Sequence, residues 1–217
     1  PNDPNAQGRK KHAGDAIFED VNNDGQLDSK DMKFMGYIRP DKVGGIVNSF
    51  KYKGLTVRVV MDWAMGHVID NGFKGQIMGS SRNNNNAIKD AMTNSWQSAN
   101  DGTKYPKYTV QSDYDYQYRN HMRWDNQIGS SESGSTNNSL YFSKGDYLAF
   151  REVSLSYMLP STWVRKIRLS GVEVFAGAYN IGYIKKYDGM FPEIYTGVDY
   201  GVYPRPRQYN MGVKINF

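Results

Sequence analysis

The sequence contains no cysteine, which excludes a disulfide framework and any metal site built on thiolates. It also lacks a run of about 18 apolar residues, so no segment is long enough to form a transmembrane helix. Its 27 Lys and Arg residues are scattered along the chain. Nucleic-acid binding needs clustered positive charge and is not expected. The chain starts at Pro1 without an initiator Met or a signal peptide, and we expect it to be part of a longer polypeptide.

Aromatic residues, by contrast, are abundant. The chain has 17 Tyr, 9 Phe and 4 Trp, whereas hydrophobic residues amount to only 39% and the mean hydropathy is −0.71. These values are compatible with a transmembrane β-barrel, whose strands need one apolar face each and whose aromatic residues form girdles at the membrane interfaces. The sequence has no nucleophile motif and no phosphate-binding glycine loop, so we expect no enzymatic activity.

Alternation of apolar and polar residues predicts five strands. They cover residues 43–52, 55–65, 147–159, 172–180 and 208–217. In the second strand one face is wholly apolar and carries Leu55, Val57, Val59, Met61 and Trp63. In the third strand Leu148 and Phe150 are out of phase with Val153, which predicts a β-bulge near Arg151 and Glu152.

The connections between these strands alternate in length. Residues 53–54 form a tight turn and residues 160–170 a short basic turn, whereas residues 66–146 and 181–207 are long and polar. Outer-membrane barrels alternate short periplasmic turns with long extracellular loops in this way. The predicted fold class is therefore all-β, with these five strands as the C-terminal part of a large antiparallel transmembrane barrel.

The last strand alternates strictly and ends on an aromatic residue. Its apolar positions are Tyr209, Met211, Val213, Ile215 and Phe217. This pattern resembles the C-terminal signal that the barrel-assembly machinery of outer membranes recognises. A strand between lipid and a watery lumen needs such an apolar stripe and must pair on both edges. The last strand of a soluble β-protein can show the same alternation, but the loop lengths and the tyrosine content favour the barrel.

The segment 15–35 contains an acidic run with the spacing of a calcium-binding loop. Oxygen-bearing side chains occupy its first, third, fifth, ninth and twelfth positions, and the glycine at its sixth position permits a sharp turn. The predicted ligands of a structural Ca²⁺ are Asp20, Asn22, Asp24, Gln26, Asp28 and Asp31. Asp31 stands where a bidentate Glu is usual, which makes the loop similar to those of dockerin-type modules. The other interpretation is a surface loop rich in Asx-turns that holds no ion.

Aromatic residues of the first long connection are the predicted contacts to substrate or to a partner protein. Their faces can stack on sugar rings or pack on protein surfaces. The candidates, which we expect to be exposed, are Trp96, Tyr105, Tyr114, Tyr116, Tyr118 and Trp124. The competing interpretation is a loop that packs on itself or against a partner and touches no ligand.

Taken together, these segments resemble the C-terminal region of the SusC/RagA-like TonB-dependent outer-membrane transporters of Bacteroidetes. The resemblance starts at residue 14 and continues to the end of the chain. It is carried, in order, by GDAIFEDVNNDGQLDSKD, FKYKGLTVRVVMDW, YLAFREVSLSYMLP, VEVFAGAYNIGYIKKYDGMFPE and YPRPRQYNMGVKINF. Each segment alone is a weak signal, whereas their combination and order are specific.

The resemblance implies a barrel of about 22 strands in the bacterial outer membrane, closed around a plug domain. Residues 1–217 would be its C-terminal part, and the plug and the other strands would lie outside this chain. The resemblance further implies import of glycan oligosaccharides or peptides, driven by TonB acting on the absent N-terminal part. The implied partners are a SusD-like surface lipoprotein that serves as a lid, the rest of the barrel, and outer-membrane lipid.

An alternative function is a secreted carbohydrate-binding all-β module with a dockerin-like calcium loop. The calcium loop and the aromatic residues fit both functions, whereas the terminal strand and the loop lengths favour the transporter. A passive porin would share the barrel, but a plug domain encoded upstream would exclude it. The sequence does not specify the substrate.

Overall fold

The computed structural model describes residues 13–25, 29–74, 89–103, 105–108 and 139–217. The chain divides into two compact units. The strand unit comprises Tyr37–His67, Lys144–Glu193 and Tyr203–Phe217. The loop unit comprises Pro1–Gly36, Val68–Ser143 and Ile194–Val202.

Seven strands are found among the described residues. In chain order they are β1 (Lys42–Tyr52), β2 (Leu55–Met65), β3 (Val68–Asp70), β4 (Phe142–Lys144), β5 (Tyr147–Met158), β6 (Gly171–Lys185) and β7 (Gln208–Asn216). The strand unit contains a five-stranded antiparallel sheet in the order β1-β2-β5-β6-β7. The five strands predicted from alternation are these five, and β3 and β4, which pair as a separate small sheet, were not predicted.

The predicted β-bulge in β5 is confirmed. Met61 and Val60 of β2 pair with Phe150 and Glu152 of β5, so Arg151 is the extra residue that the partner strand does not match. The pairing of β5 with β6 shifts at the same place. The bulge puts Phe150 on the same face of the sheet as Val153, which accounts for the change of phase in the sequence.

Strand β6 is longer than the sequence predicted. The predicted strand ended at residue 180, but pairing continues beyond Gly182 to Lys185, which lies opposite Tyr147. Asn180 adopts a left-handed conformation with a φ of 51°, which an Asn tolerates better than most residues. In the sequence, residues 180–182 resemble the end of a strand. In the structure they are the part of β6 that lies opposite the bulge in β5, where the register shifts.

All the short connections lie at one end of the sheet. Tyr52 pairs with Leu55 across the first turn, Met158 pairs with Glu173, and Asn216 pairs with Gly171. We call this the short-turn end; Phe217 lies there too. Both long connections leave from the opposite, long-loop end, where Met65 pairs with Lys42.

The short connections have simple local structures. Lys53 and Gly54 both have positive φ values, 45° and 85°, as a two-residue type I′ hairpin turn requires. Between β5 and β6 lie the short helix α2 (Ser161–Val164) and a 3₁₀ turn (Arg165–Ile167). This agrees with the predicted basic turn at residues 160–170. Arg168 ends the segment in a left-handed conformation.

The loop unit has a small core of its own. The short helix α1 (Lys89–Thr93) contributes Ala91, which packs with Tyr105 and Tyr141. Phe18, Tyr108 and Leu140 pack around these three buried residues. Among the described residues, no helix has both the length and the apolar character needed to cross a membrane.

Candidate functional site

One face of the five-stranded sheet is apolar and exposed. The register aligns apolar positions of neighbouring strands. Rows of paired residues across the sheet are therefore either apolar or polar. One row runs Phe50, Val57, Leu155, Ala176 and Met211. Phe50, Leu155 and Met211 are all exposed, Met211 to 87%. A continuous apolar surface of this kind normally marks contact with a partner or with lipid.

The predicted assembly signal lies on this apolar face. The alternating residues of β7 pair with apolar residues of β6, as Val213 does with Val174 and Ile215 with Val172. The exposed set is Tyr209, Met211, Val213, Ile215 and Phe217. None of the five is packed into a core formed by the described residues, and Phe217 is 93% exposed.

The opposite face of the sheet is mainly polar. The row next to the one above runs Ser49, Arg58, Ser154, Gly177 and Asn210. Val47 and Val60, which pair with each other in β1 and β2, are apolar exceptions on this face. The sheet therefore has one face suited to an apolar environment and one suited to water.

The bulge places Arg151 and Glu152 side by side on the polar face. Arg151 points away from the apolar face that carries Phe150, and the extra residue lets Glu152, which pairs with Val60, lie on the polar face as well instead of returning to the apolar one. The guanidinium of Arg151 binds Asp62 of β2 in a bidentate manner, with Nε donating to Oδ1 and Nη2 donating to Oδ2 at 2.7 Å. The bulge thus aims a cation across the sheet surface.

Glu193 joins this cation to the last long connection. Its side chain is only 1% exposed, and its Oε1 lies 2.6 Å from Nη1 of Arg151 and accepts a 2.7 Å hydrogen bond from Tyr183. Its Oε2 lies 3.1 Å from Nη2 of Arg205. Two carboxylates and two guanidinium groups therefore form one network that holds the segment before β7 against the polar face.

This network was not predicted from the sequence. A signal was present, since Glu193 follows Phe191 and Pro192 and precedes Ile194, all of them buried. A carboxylate among buried apolar residues needs a paired cation, because an isolated buried charge is very costly.

A second polar cluster closes the long-loop end of the sheet. Asp146 accepts hydrogen bonds from Nζ of Lys186 and from the backbone N–H of Gly66, both at 2.8 Å. These two bonds hold the pKa of Asp146 below its usual value. Beside it His67 is buried, and burial lowers the pKa of its imidazole although Asp146 partly opposes this effect. His67 is therefore neutral at pH 7.

The acidic loop in the loop unit is folded back on itself. Asp20 Oδ2 accepts a 2.8 Å bond from the N–H of Gly25, whose φ is 81°, and Asp31 Oδ1 accepts a 2.8 Å bond from the N–H of Val21. The second oxygen of Asp20, Oδ1, is buried and has no hydrogen-bond partner. Asn22 Oδ1 accepts a bond from the N–H of Asp24. The first and last predicted ligands thus close one turn.

Two of the six predicted calcium ligands, Gln26 and Asp28, lie outside the described residues. Among the residues that are described, no group of three or more His, Cys, Asp or Glu side chains could hold a metal ion. The ion itself stays a prediction.

Two of the six predicted aromatic contacts, Tyr105 and Trp96, lie among the described residues. Tyr105 was expected to be exposed, but only 6% of it is, and its hydroxyl donates to Asp90 at 2.8 Å. This expectation is wrong because Tyr105 packs into the core of the loop unit. Trp96 is half-buried, with its ring against Gly14, where a Cβ would collide with it. Tyr114, Tyr116, Tyr118 and Trp124 lie outside the described residues.

The turn after Trp96 is held by one carboxylate. Asp101 accepts hydrogen bonds from the N–H groups of Gln97 and Ser98, and from the N–H and hydroxyl of Thr103. These bonds to the charged form lower the pKa of Asp101 well below its ordinary value. The arrangement is structural, since the carboxylate is saturated by its own turn.

The chain is related to known TonB-dependent receptors. It is 25% identical over 94% of its length to TonB-dependent receptor P3 of Formosa agariphila, and 24% identical over 94% to TonB-dependent receptor P39 of the same organism. It is 26% identical over 42% of its length to the TonB-dependent receptor SusC of Bacteroides thetaiotaomicron. The chain spans 19%, 19% and 9% of the length of these relatives. No family model matches the sequence.

Solved structures agree with the fold. A structure of the RagAB peptide transporter matches 83% of this chain with a TM-score of 0.59 at 21% identity. The RagAB peptide importer in the 'closed-closed' state matches 85% with a TM-score of 0.61 at 22% identity. The matched part is 17% and 18% of those chains. The sequence relatives confirm the predicted resemblance to SusC-like TonB-dependent receptors, and the solved structures support the fold.

Proposed function

We propose, from the relation to TonB-dependent receptors, that this chain forms the closing strands of an outer-membrane transporter that imports nutrients. The whole protein would be a large plugged barrel, and β7 would be its last strand. The short-turn end would face the periplasm and the long-loop end the cell exterior, as in other outer-membrane barrels.

The two-faced sheet with unpaired outer edges is the observation that carries this proposal. Within the described residues β1 and β7 each pair on one side only. In lipid an unpaired N–H or C=O group is very costly, so both edges need further strands. The apolar face then meets lipid and the polar face, with its Arg151–Glu193 network, lines an aqueous lumen.

The substrate and the lid belong to the same proposal. The named relatives include SusC, and the RagAB structures are those of a peptide transporter. We propose import of oligosaccharides or peptides, a SusD-like surface lipoprotein as lid, and energy from TonB acting on a plug domain. The polar, two-carboxylate and two-guanidinium network beside the lumen would suit a hydrophilic substrate path rather than an apolar one.

Uptake by the intact transporter tests the proposal. Cells that carry the full-length gene are expected to take up a labelled oligosaccharide or oligopeptide, and dissipation of the proton-motive force or deletion of TonB should abolish uptake. Cells in which only the TonB-contacting segment is deleted are the matched control. Uptake that survives both treatments would point to a passive porin.

Extraction separates this function from the secreted binding module. An integral barrel stays in the membrane pellet after washing with buffer and salt and is released only by detergent. Release of the intact protein in buffer alone would support the secreted carbohydrate-binding module and contradict the transporter.

We also propose that the acidic loop holds a structural Ca²⁺. Its ligands would be Asp20, Asn22, Asp24, Gln26, Asp28 and Asp31. The support is the turn itself, together with the buried Oδ1 of Asp20, which has no other partner. Hard carboxylate and carbonyl oxygens are the ligands that Ca²⁺ prefers. A cage filled by protein oxygens would rigidify the loop and leave no position for catalysis.

Removal of Ca²⁺ is expected to loosen residues 15–35 and to leave the strands folded. With a dissociation constant of about 0.1 mM, typical of weak extracellular sites, 1 mM Ca²⁺ would stabilise the loop by about 1.4 kcal/mol. Limited proteolysis should then cut this segment about tenfold faster in a chelator.

The control is Asp15→Asn, outside the ligand set, which should keep the calcium effect, whereas Asp20→Asn should abolish it. Equal rates of cleavage with and without chelator in the parent protein would contradict the metal assignment.

A further inference from the structure

The connection between β5 and β6 presents an exposed apolar edge. α2 and the 3₁₀ turn form one helical segment from Ser161 to Ile167, anchored by the buried side chain of Val164. Trp163 is 61% exposed and Ile167 is 64% exposed. Because they are four residues apart they lie on the same side of the segment. Large apolar side chains on a short turn need a reason beyond packing within this unit.

The charged side chains in the two turns at the same end of the sheet are all cationic. The connection carries Arg165, Lys166 and Arg168, and the neighbouring turn between β1 and β2 contains Lys53 and is preceded by Lys51. Residues 51–54 and 159–170 contain no Asp or Glu. Glu173, the next acidic residue along the chain, lies opposite Lys214 in β7. The positive charge of these turns is therefore not offset within them.

Aromatic residues of the apolar face lie at this cationic end. Tyr52, Tyr157 and Phe217 are exposed on that face at the short-turn end. Nζ of Lys53 lies 5.2 Å from the ring centroid of Tyr52. In membrane proteins an apolar belt contacts the bilayer core, aromatic residues lie at its edge, and cations lie at the level of the headgroups. The short-turn end has its groups in the same order.

We infer that the short-turn end binds an anionic phospholipid of the periplasmic leaflet. Trp163 and Ile167 enter the boundary between acyl chains and headgroups, and Arg165, Lys166 and Arg168 bind the lipid phosphate. Guanidinium groups suit this role because their planar fork matches two phosphate oxygens. The inference rests on the proposed function, which makes this end periplasmic and its apolar face lipid-exposed.

Native mass spectrometry of the intact transporter tests the phosphate contacts. The probe is a mixture of phosphatidylglycerol and phosphatidylethanolamine in equal amounts. Combined Arg165→Gln, Lys166→Gln and Arg168→Gln is expected to lower the ratio of bound phosphatidylglycerol to phosphatidylethanolamine about tenfold, since each cation near an anionic lipid surface contributes to binding. Raised salt should lower the same ratio in the parent protein.

The matched control removes three charges at the long-loop end. Combined Arg39→Gln, Lys42→Gln and Lys144→Gln should leave the lipid ratio unchanged. If the triple variant at the short-turn end retains the parent ratio, or if the control lowers the ratio equally, the lipid site is refuted.

Fluorescence tests the apolar contact independently. The signal of Trp163 is obtained as the difference between the parent and Trp163→Phe, both reconstituted in phosphatidylglycerol brominated on its acyl chains. Quenching of this signal is expected. An unquenched signal would mean that protein, such as the plug domain, covers the edge, and would overturn the proposal. Uptake by cells that carry the parent protein separates the two proposals. If these cells show TonB-dependent uptake but the protein fails both lipid tests, the lipid site alone is refuted. If they show no TonB-dependent uptake, the proposed function is refuted.

Discussion

Replacement of Arg151 by Met is expected to lower the free energy of unfolding by about 3 kcal/mol. Arg151 is the shared partner of Asp62 and of the buried Glu193. Methionine keeps much of the side-chain volume but leaves the Glu193 carboxylate with Arg205 as its one remaining cationic partner in the network. Removal of one member of a buried ion pair is costly because it leaves a charge in a poorly solvated site. Unfolding of the intact transporter by denaturant in lipid vesicles measures the change.

Arg58→Met is the matched control for that experiment. Arg58 also lies on the polar face and pairs with Glu152, but at 3.4 Å, and its side chain is half exposed. A solvent-screened pair of this kind contributes about 1 kcal/mol or less. Equal destabilisation by the two substitutions would show that the buried network has no special role. The segment before β7 should also become more sensitive to protease in Arg151→Met and not in Arg58→Met.

A charge placed on the apolar face has the second large expected effect. Val153→Arg is expected to destabilise the membrane-inserted protein by about 2–4 kcal/mol, the cost of an Arg at the lipid-facing middle of a barrel. Val153 lies in the central strand β5, opposite Val59 and Ala178, and it is exposed. Folding into vesicles, followed by the mobility shift of the folded barrel on gels, measures the inserted fraction.

Ser156→Arg is the control for the lipid-facing substitution. Ser156 lies in the same strand on the opposite face, where it pairs with Thr56. A cation there faces an aqueous lumen. The free energy of insertion, obtained from the inserted fraction, should therefore stay within about 1 kcal/mol of the parent value. Equal tolerance of Arg at both positions would mean that neither face contacts lipid.

Strands and faces could be predicted because their signal is local. A strand repeats every two residues, so the alternation in β2 and β7 defines both the element and its two faces without knowledge of the rest of the fold. The bulge was equally local, since Phe150 and Val153 could share a face only if one residue between them was extra. The end of β6 was misjudged because Asn180 and Gly182 resemble a turn unless the bulge in the neighbouring strand is known.

The charge network could not be predicted from local pattern. Arg151 and Asp62 are 89 residues apart, and which acid and which base meet depends on strand register and on the course of a long loop. Tyr105 illustrates the same limit in the loop unit. Its position in a polar segment suggested exposure, yet it packs with Ala91 and Tyr141, contacts that only the three-dimensional arrangement provides.

Site-directed labelling along β7 tests the central claim most directly, and the absence of cysteine from this chain favours it. The variants are Asn210→Cys, Met211→Cys, Val213→Cys and Lys214→Cys in the intact transporter reconstituted in lipid. We expect a water-soluble maleimide to label positions 210 and 214, and probes at positions 211 and 213 to be quenched by spin-labelled acyl chains. Lipid quenching that is absent at positions 211 and 213, or equal at all four positions, would contradict a wall between bilayer and lumen.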